Sequence, residues 1–471
     1  MLTSKSIQEE QAVTWLGQFT RHGGPRYVQL ADFIERALNE GALLPGDRLP
    51  PQRRVAELLK VDLTTVTRGY DEAKRRHLLE GRGARGTYAA APKVDLHQAL
   101  DLSMNIPPPP AGLDFGDLLK RGLAQVLLRS DTDLLMTYHL GGGSMADRAA
   151  AALWLRPVLP RVDTGQLLVC PGAQAALAAL ILALTGHGDA LAAEPAIYPG
   201  LRAAAAQLGR RVVSVPVDAE GMLPDLLEKA CRQHRVRAVY LNPTLQNPTA
   251  RTMPEQRRRA LLLVAARCGV QIIEDDPYSL LATDAPPPLA QLLPAQVCYV
   301  ATLSKCLAPG LRTAYVVMPD PLLRERFLTA LRSFSLMVPP LTTSLATQWI
   351  HDGSAQQLLE GIRQEAAARR ALSDTILART GTGTADGIHL WLQLPGYWNA
   401  QALAFAAQAQ GVAVASSTMF YDGAKVPGAI LPGAIRVSLG SIRERAHLAA
   451  ALKKLALLLS QRPTAGTQTF I

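Results

Sequence analysis

Hydrophobic and polar positions along the chain fall into two patterns. Up to about residue 90 the apolar positions recur at helical spacing. Tyr27, Leu30, Ile34 and Leu38 share one helical face, and Gly41 ends that helix. Leu44-Pro45-Gly46-Asp47-Arg48-Leu49-Pro50 reads as a turn whose last proline suits the opening of a helix. Arg53 to Leu59 reads as that short helix, Val61-Asp62 as the start of a turn, and Leu63 to His77 as a third helix. In the third helix Val66, Tyr70 and Ala73 face inward, while Thr64, Arg68, Asp71 and Arg75 share the outer face. Gly81-Arg82-Gly83-Ala84-Arg85-Gly86-Thr87-Tyr88 then reads as a hairpin with a basic tip.

Residues 91–112 carry little pattern and end in Pro107-Pro108-Pro109-Pro110, a stiff extended segment. They are expected to be a linker leading into a second domain. From about residue 113 short apolar runs alternate with Ala/Leu-rich helical stretches, as a mainly parallel α/β sheet requires. The runs predict buried strands at Leu167–Val169, Ala190–Ala193, Val212–Val215, Val236–Asn242, Val270–Glu274, Val297–Ala301 and Ala314–Met318. No internal repeat at a solenoid period is visible.

Composition narrows this picture. A chain of 471 residues fits two or three domains, and 48% hydrophobic with 19% charged residues is ordinary for a soluble globular protein. Met1 to Glu10 lacks an apolar core of the kind a secretory signal needs, and no run reaches the length of a membrane span. Five cysteines without C-x-x-C spacing argue against a zinc site or disulfide framework and for a reducing cytoplasm. The net charge is +10, and Arg48 to Arg85 holds ten Lys/Arg against five Asp/Glu. Such a balance suits a polyanionic partner or, more plainly, a basic soluble surface.

Candidate chemistry sits at the ends of the expected strands. Cys170-Pro171-Gly172-Ala173-Gln174 joins a strand to a helix, and a glycine there leaves backbone N–H groups and the positive helix end free for a phosphate. Ile272-Ile273-Glu274-Asp275-Asp276-Pro277-Tyr278 places acids beyond a strand's carboxyl end, where α/β sheets bind ligands. A carboxylate there can keep a pyridine nitrogen protonated; a helix cap or surface acid is the plainer alternative. Thr302-Leu303-Ser304-Lys305 ends another strand, and a lysine in a cleft can form a Schiff base if its pKa is lowered, although a lone lysine is ordinarily a surface charge. Cys306 beside it reads as a buried inert thiol.

Two resemblances organise these pieces. Gly41 to Ala90, "GALLPGDRLPPQRRVAELLKVDLTTVTRGYDEAKRRHLLEGRGARGTYAA", resembles the winged-helix domain of the GntR family. The resemblance implies that Arg53, Thr64, Thr65, Thr67, Arg68 and the wing residues Arg82, Gly83, Arg85 and Gly86 lie at double-stranded DNA. Leu63 departs from the polar or basic residue often found at its position. From about Asp101 onward, the phosphate loop, Asn247-Pro248-Thr249, Asp275 to Tyr278, Ser304-Lys305, Arg312 and Arg436 occur in the order and rough spacing of fold-type I aminotransferases. "IIEDDPYSLL" and "TLSKCLAPGLRTAYVV" are especially similar to the α-aminoadipate and kynurenine aminotransferase subgroup. Together the two halves resemble the MocR-like branch of the GntR regulators.

That resemblance implies an α+β winged helix-turn-helix over 1–90, a linker and entry segment over 91–112, and an α/β fold-type I pyridoxal-phosphate-dependent transferase domain over 113–471. The last divides into a large, mainly parallel sheet part (about 150–345) and a small α+β part (about 346–460). It implies pyridoxal 5′-phosphate as cofactor, with Lys305 as the Schiff-base lysine, Asp275 at the pyridine nitrogen, and Asn247 and Tyr278 at the ring's 3-oxygen. It places Tyr198 on the ring face and Gly172, Ala173, Gln174, Thr302, Ser304 and Arg312 at the phosphate. Tyr138 would reach the phosphate of a partner subunit, so a homodimer is expected, and Arg436 would clamp a ligand carboxylate unless it serves a structural salt bridge. Two departures stand out: Ala250 replaces the usual glycine of N-P-T-G, and Gly141-Gly142-Gly143 is richer in glycine than the usual turn. The expected function is a cytoplasmic transcriptional regulator that senses the cofactor or an amino compound. The alternatives are a working aminotransferase with an accessory DNA-binding domain, or a DNA-binding protein with a mere dimerisation scaffold.

Overall fold

In the computed structural model the described residues are 16, 24–90, 100–377, 386–422 and 433–462. They form two compact units, divided between residues 98 and 99.

The first unit packs three helices, Arg26–Asn39, Gln52–Leu59 and Leu63–Arg75. Asp62 caps the third by accepting a hydrogen bond from the Thr64 N–H at 3.2 Å. Leu30, Ile34, Val55, Val66, Tyr70 and Ala73 meet in one core, and the buried Tyr70 hydroxyl donates to the Pro50 carbonyl at 3.0 Å. Gly69 lets the first and third helices approach: a Cβ there would lie 2.8 Å from Leu30 Cδ2. Strands Leu79–Gly81 and Thr87–Ala89 pair antiparallel to make the wing, in the register Leu79↔Ala89, with a short turn over Gly83–Arg85 at its tip.

The second unit is built on a seven-stranded sheet in the order Leu167–Cys170, Ala314–Val317, Val297–Thr302, Gln271–Asp275, Val236–Leu241, Ala190–Ala193, Arg211–Ser214. Ala314–Val317 runs antiparallel to both its neighbours; the other pairs are parallel. Alternate residues feed opposite faces, as the strand period demands: Leu167, Val169 and Ile272 join one core cluster, Leu168, Cys170 and Ile273 the other. Helix Ser354–Ile376 leads to the smaller part, where strands His389–Gln393, Ala434–Ser438 and Ala415–Ser416 carry helices Ala400–Ala409 and Arg445–Ser460. Among the described residues no helix is long and apolar enough to cross a membrane.

The expected linker and entry segment over 91–112 is partly described. Residues 91–99 lie outside the described residues, but from Leu100 on the segment is part of the second unit. Leu100–Asp101 pairs parallel with Val412–Ala413, buried Leu102 is held through its N–H by Ala413 O at 2.8 Å, and its carbonyl accepts from Ser438 N at 2.7 Å. The proline run packs because two glycines make room: a Cβ on Gly361 would sit 3.0 Å from Pro110 Cβ, and one on Gly440 would collide with the Ile106 carbonyl. Prolines have no N–H to satisfy, so an extended run can be laid against protein at little polar cost.

Candidate cofactor site and DNA-contact surface

Strand ends of the large sheet converge with the smaller part's first and last strands on a buried polar cluster. Asp275 ends its strand buried, and its Oδ2 accepts a hydrogen bond from Tyr240 Oη at 2.7 Å. Burial and the neighbouring Asp276 push the Asp275 carboxyl up to about 6, although Tyr240 and Lys305 favour its charged form. Asn242 donates to the Asp275 carbonyl at 2.7 Å and accepts from Asn247 N at 2.7 Å, so the loop that follows its strand is pinned to the aspartate's backbone.

Lys305 lies in the one-turn helix Leu303–Cys306, whose first N–H groups are capped by Thr302. Burial lowers its ammonium to about 8, assisted by the positive charges of Arg436 and Arg312 and opposed by Asp275. Lys305 is therefore mostly ammonium at pH 7, with roughly a tenth as free amine, far more than an ordinary lysine. Its Nζ donates to the Asn105 carbonyl. Asn105 in turn donates from Nδ2 to Tyr278 Oη at 2.8 Å and lies 3.2 Å from His389 Nδ1. His389 is buried against Tyr278, ring centroids 5.5 Å apart, and its Nε2 lies 3.2 Å from the Gln246 carbonyl. Burial, together with Arg436, holds His389 down at about 3, so it is neutral.

Arg436 reaches the cluster from the smaller part. It donates to Asn247 Oδ1 at 2.6 Å and to the Ser103 carbonyl, and its guanidinium stands 5.0 Å over the Phe420 ring. No acid pairs with it among the described residues, and its Nε and Asn105 Oδ1 are buried without a hydrogen-bond partner. The expected alternative for Arg436, a structural salt bridge, thus has no partner here.

The phosphate-loop residues form a second group. Gly172, at φ 91°, precedes helix Ala173–Leu184, which has no side-chain cap. A Cβ on Gly172 would come within 2.6 Å of an Arg312 guanidinium nitrogen, so the glycine brings that cation onto the helix's positive end. Thr302 Oγ1 and Ser304 Oγ are 3.0 Å apart beside them. The Gln174 side chain turns aside to donate to Gly200 O at 2.8 Å, which leaves its backbone facing this group. Tyr198 stands at the start of helix Pro199–Gln207, near enough for the charges of Asp275 and Arg312 to act on it.

Tyr138 is not joined to the cluster by any hydrogen bond among the described residues; it lies 76% exposed on the loop before the glycine run. Gly142 and Gly143, both at positive φ, let that loop lie on the strand below: a Cβ on Gly142 would be 2.6 Å from Leu168 Cδ2. Ala250 adopts φ 56°, the left-handed conformation that favours glycine at its position. Cys306 is buried, its thiol donating to Pro277 O at 3.4 Å and pushed up to about 12 by burial, which is an inert environment.

Tyr240, Asn242, Asn105, Ser103 and His389 were not anticipated. Tyr240 and Asn242 read as strand residues. Ser103 and Asn105 fell in the supposed linker. His389 lies in an apolar run where a histidine has no local signature. The one usable signal is Asn105, two residues before the proline run, a polar residue near the edge of a stiff segment.

In the first unit Arg53, Thr64, Arg68, Arg82, Gly83 and Arg85 are exposed. Thr64 Oγ1 bonds Asp62 Oδ1 at 2.6 Å, and Thr67 Oγ1 is spent between helices, on Gln52 Oε1 at 2.8 Å and Leu63 O at 3.0 Å. Arg68 stacks over Tyr27 at 4.6 Å and Arg82 over Tyr88 at 4.5 Å. Thr65 is half-buried. Leu63 opens the third helix with 41% of its surface exposed.

A winged helix and a transferase-type cofactor cleft therefore share one chain. Residues 99–453 match Aminotransferase class I and II, and residues 26–89 match the Bacterial regulatory proteins, gntR family. The chain belongs to the aminotransferase class I and II family and carries a GntR DNA-binding domain, the architecture of the MocR-like transcriptional regulators. It is 29% identical over 441 residues to the uncharacterized HTH-type transcriptional regulator YdeF of Bacillus subtilis (strain 168), covering 92% of this chain and 94% of that one. It is 29% identical over 430 residues to the vitamin B6 salvage pathway transcriptional repressor PtsJ of Salmonella typhimurium (88% and 94% covered). With TauR of Rhodobacter capsulatus it shares 29% over 458 residues (86% and 92%). Among solved structures, an archaeal alanine:glyoxylate aminotransferase superposes with a TM-score of 0.69 at 25% identity, covering 77% of this chain and 91% of that one. A kynurenine aminotransferase from Pyrococcus horikoshii superposes with a TM-score of 0.70 at 23% identity (79% and 93%), which shows the fold.

Proposed function

We propose that this DNA-binding regulator holds pyridoxal 5′-phosphate at Lys305 and reads the cofactor, or an amino compound that meets it, as its signal. The observation that carries the reading is the set of buried charges around Lys305. A lysine lowered to about 8, a carboxyl on Asp275 and an acid-free Arg436 act on one another inside one cleft. The residues fit the group. Gly172 opens a cradle that any side chain would fill, Arg312 and the uncapped helix end meet a dianionic phosphate, and the orphaned Arg436 Nε and Asn105 Oδ1 are polar atoms that lack a partner. When bound, the cofactor supplies an electron-withdrawing ring and an aldehyde that captures amines.

Arg436 selects a ligand carrying a carboxylate or similar anion, because its planar fork offers paired donors and no acid pairs with it among the described residues. Asn247 holds that guanidinium in place. The Asn105 and Ser103 carbonyls accept from Lys305 and Arg436, so a ligand that competes for these two cations acts on Ser103–Asn105 within the second unit. It changes DNA binding only to the extent that it prefers one state of the protein over another.

The working unit is a homodimer in the cytoplasm. Its surface is supported by exposed apolar side chains around Tyr138: Leu128 is 81% exposed, Met136 86% and Met145 79%, more than a solitary globule ordinarily leaves in water. The paired winged helices of such a dimer suit paired half-sites on double-stranded DNA.

A second reading, turnover as an aminotransferase, is favoured by one observation: Lys305 is placed and lowered as a proton-transferring amine requires. Absorption spectra of the purified full-length chain with pyridoxal phosphate separate the readings. The account expects a visible cofactor band that is absent in Lys305→Ala. It also expects one member of a panel of amino acids and amino sulfonates to change the band without releasing a keto product. Product release with the cofactor left in its amine form makes the protein an enzyme as well; no band in the wild type overturns the cofactor assignment.

A further inference from the structure

A separate cavity of about 410 Å³ lies in the second unit, behind the loop that carries Asn247. Its walls come from both parts of that unit. Glu194, the Asp218–Gly221 hairpin turn, Gln246 and Arg251 belong to the large part, Trp391 and Tyr421 to the smaller. Lys305, Asp275, Arg312 and Arg436 are not among its lining residues.

The charges in this cavity are unequally satisfied. Asp218 and Glu220 are taken by Arg257, at 2.8 and 3.0 Å. Glu194 makes no ion pair among the described residues, although the charge of Arg251 acts on it: its two oxygens accept from Met222 N at 3.1 Å and from Gln246 Nε2 at 3.2 Å. An ionised carboxylate has room for about four donors, so about half of its capacity is open. The Arg251 guanidinium makes a single hydrogen bond among the described residues, to the Asp218 carbonyl at 3.3 Å, and no ion pair. A guanidinium with five N–H donors therefore faces the same cavity nearly unused. The indole of Trp391 and the ring of Tyr421 also line the cavity, surfaces that favour an ammonium group or an alkyl chain.

From this pairing we propose that the cavity is a second ligand site, for a small zwitterion whose ammonium group meets Glu194 and whose anionic end meets Arg251. Burial that pushes the Glu194 carboxyl up to about 7 favours the same outcome, since an incoming cation restores the charge that burial opposes. The site shares a wall with the cofactor cleft. Trp391 pairs in register with Arg436, its ring lies 6.0 Å from that of Phe420, and Arg436 stacks on Phe420. Gln246, which bonds Glu194, precedes Asn247, which bonds Arg436. Occupancy of the second site is thus coupled to the first through one aromatic ring and one peptide bond.

The test removes the first site and asks whether the second binds. Full-length Lys305→Ala/Arg436→Ala protein is titrated calorimetrically with glycine, β-alanine and 4-aminobutyrate, zwitterions of rising span. The proposal expects saturable binding of at least one, weakened at least roughly tenfold by adding Glu194→Gln and likewise by adding Arg251→Ala. Arg251 touches only a carbonyl, so its variant keeps the fold even if the glutamate variant does not. No saturable heat with any of the three, or binding that Arg251→Ala leaves untouched, overturns the site. The background protein lacks the cofactor lysine, so this result is independent of whether the wild type holds pyridoxal phosphate.

Discussion

Asn247 Oδ1 accepts a hydrogen bond from Arg436 at 2.6 Å, across the boundary between the large and small parts of the second unit. The residue expected at the cofactor's ring oxygen is thereby tied to the residue expected at the ligand's anion. Charge-assisted hydrogen bonds of this kind are strong and directional, so the two recognition events are not independent.

Removing Arg436 costs more for anionic amines than for plain ones. Arg436→Ala should weaken the response to amino acids by roughly a hundredfold, about 3 kcal/mol, while hardly altering the response to the corresponding amines without a carboxylate. Titration of the cofactor's visible band with both ligand types checks this; equal losses for both would place Arg436 elsewhere in the mechanism. Asn247→Ala should weaken the same discrimination and cofactor retention together.

Capture of the cofactor requires Lys305 as free amine. Its ammonium is lowered to about 8 by burial and by Arg436, so attachment should rise with pH through about 8 and level off above it. Removing the Arg436 charge takes away one lowering influence, and Arg436→Ala should move this midpoint upward. Absorbance against pH at fixed cofactor measures both midpoints. A downward shift contradicts the electrostatic account.

Gly172 can carry no side chain without cost. At φ 91°, with Arg312 within 2.6 Å of any Cβ, Gly172→Ala strains the backbone and displaces the guanidinium. Cofactor affinity should fall by at least roughly tenfold, with about 1–2 kcal/mol lost in stability as well. Equilibrium dialysis and thermal unfolding report the two effects separately.

His389 is held neutral, down from an ordinary value of 6.5 to about 3. A histidine with a depressed folded pKa contributes stability that is fully present above the unfolded value. That contribution is lost progressively as pH falls from 6.5 towards 3, because the unfolded chain takes up the proton first. His389→Asn should therefore lessen the loss of stability on acidification in this window, measured by denaturant unfolding at several pH values. An unchanged pH profile would show that another buried group governs it.

Much of this architecture was legible in the sequence. All seven strands of the central sheet were, because each is a short apolar run; six are largely buried on both faces, and the edge strand Arg211–Ser214 is exposed at both its ends. The wing was legible from Gly81 to Tyr88 through its turn residues. The lead-in segment was not: Leu100–Asp101 is two residues long and pairs with Val412–Ala413, so nothing local marks it as a strand. Proline composition suggested a linker because a proline run looks the same whether it spans water or packs on Gly361 and Gly440. The charged members of the cleft stand out in the sequence: Asp275 ends its strand, Lys305 follows one closely, and Arg436 interrupts an apolar strand at its middle. Their supports do not, because Tyr240, Asn105 and His389 work through contacts made only once distant segments meet.

On the proposed DNA surface, the exposed Arg53 and Arg85 would meet phosphates. Each alanine variant should weaken operator binding nearly uniformly across sequences and reduce the salt slope by about one. Leu63 is different: exposed and apolar at the start of the third helix, it suits a thymine methyl. Leu63→Arg should change which operators are preferred rather than overall affinity. Selection of binding sites from a random pool compares the two directly.

The central claim is that the cofactor cleft governs DNA binding. Fluorescence anisotropy of a selected operator, titrated with full-length protein at fixed salt, tests it with pyridoxal phosphate and the panel amines present or absent. The account predicts that operator affinity shifts on addition of the cofactor or of one amine in the wild type, and that Lys305→Ala binds the operator but shows no shift. Identical ligand responses in the two proteins, or none in the wild type with any ligand, would contradict it.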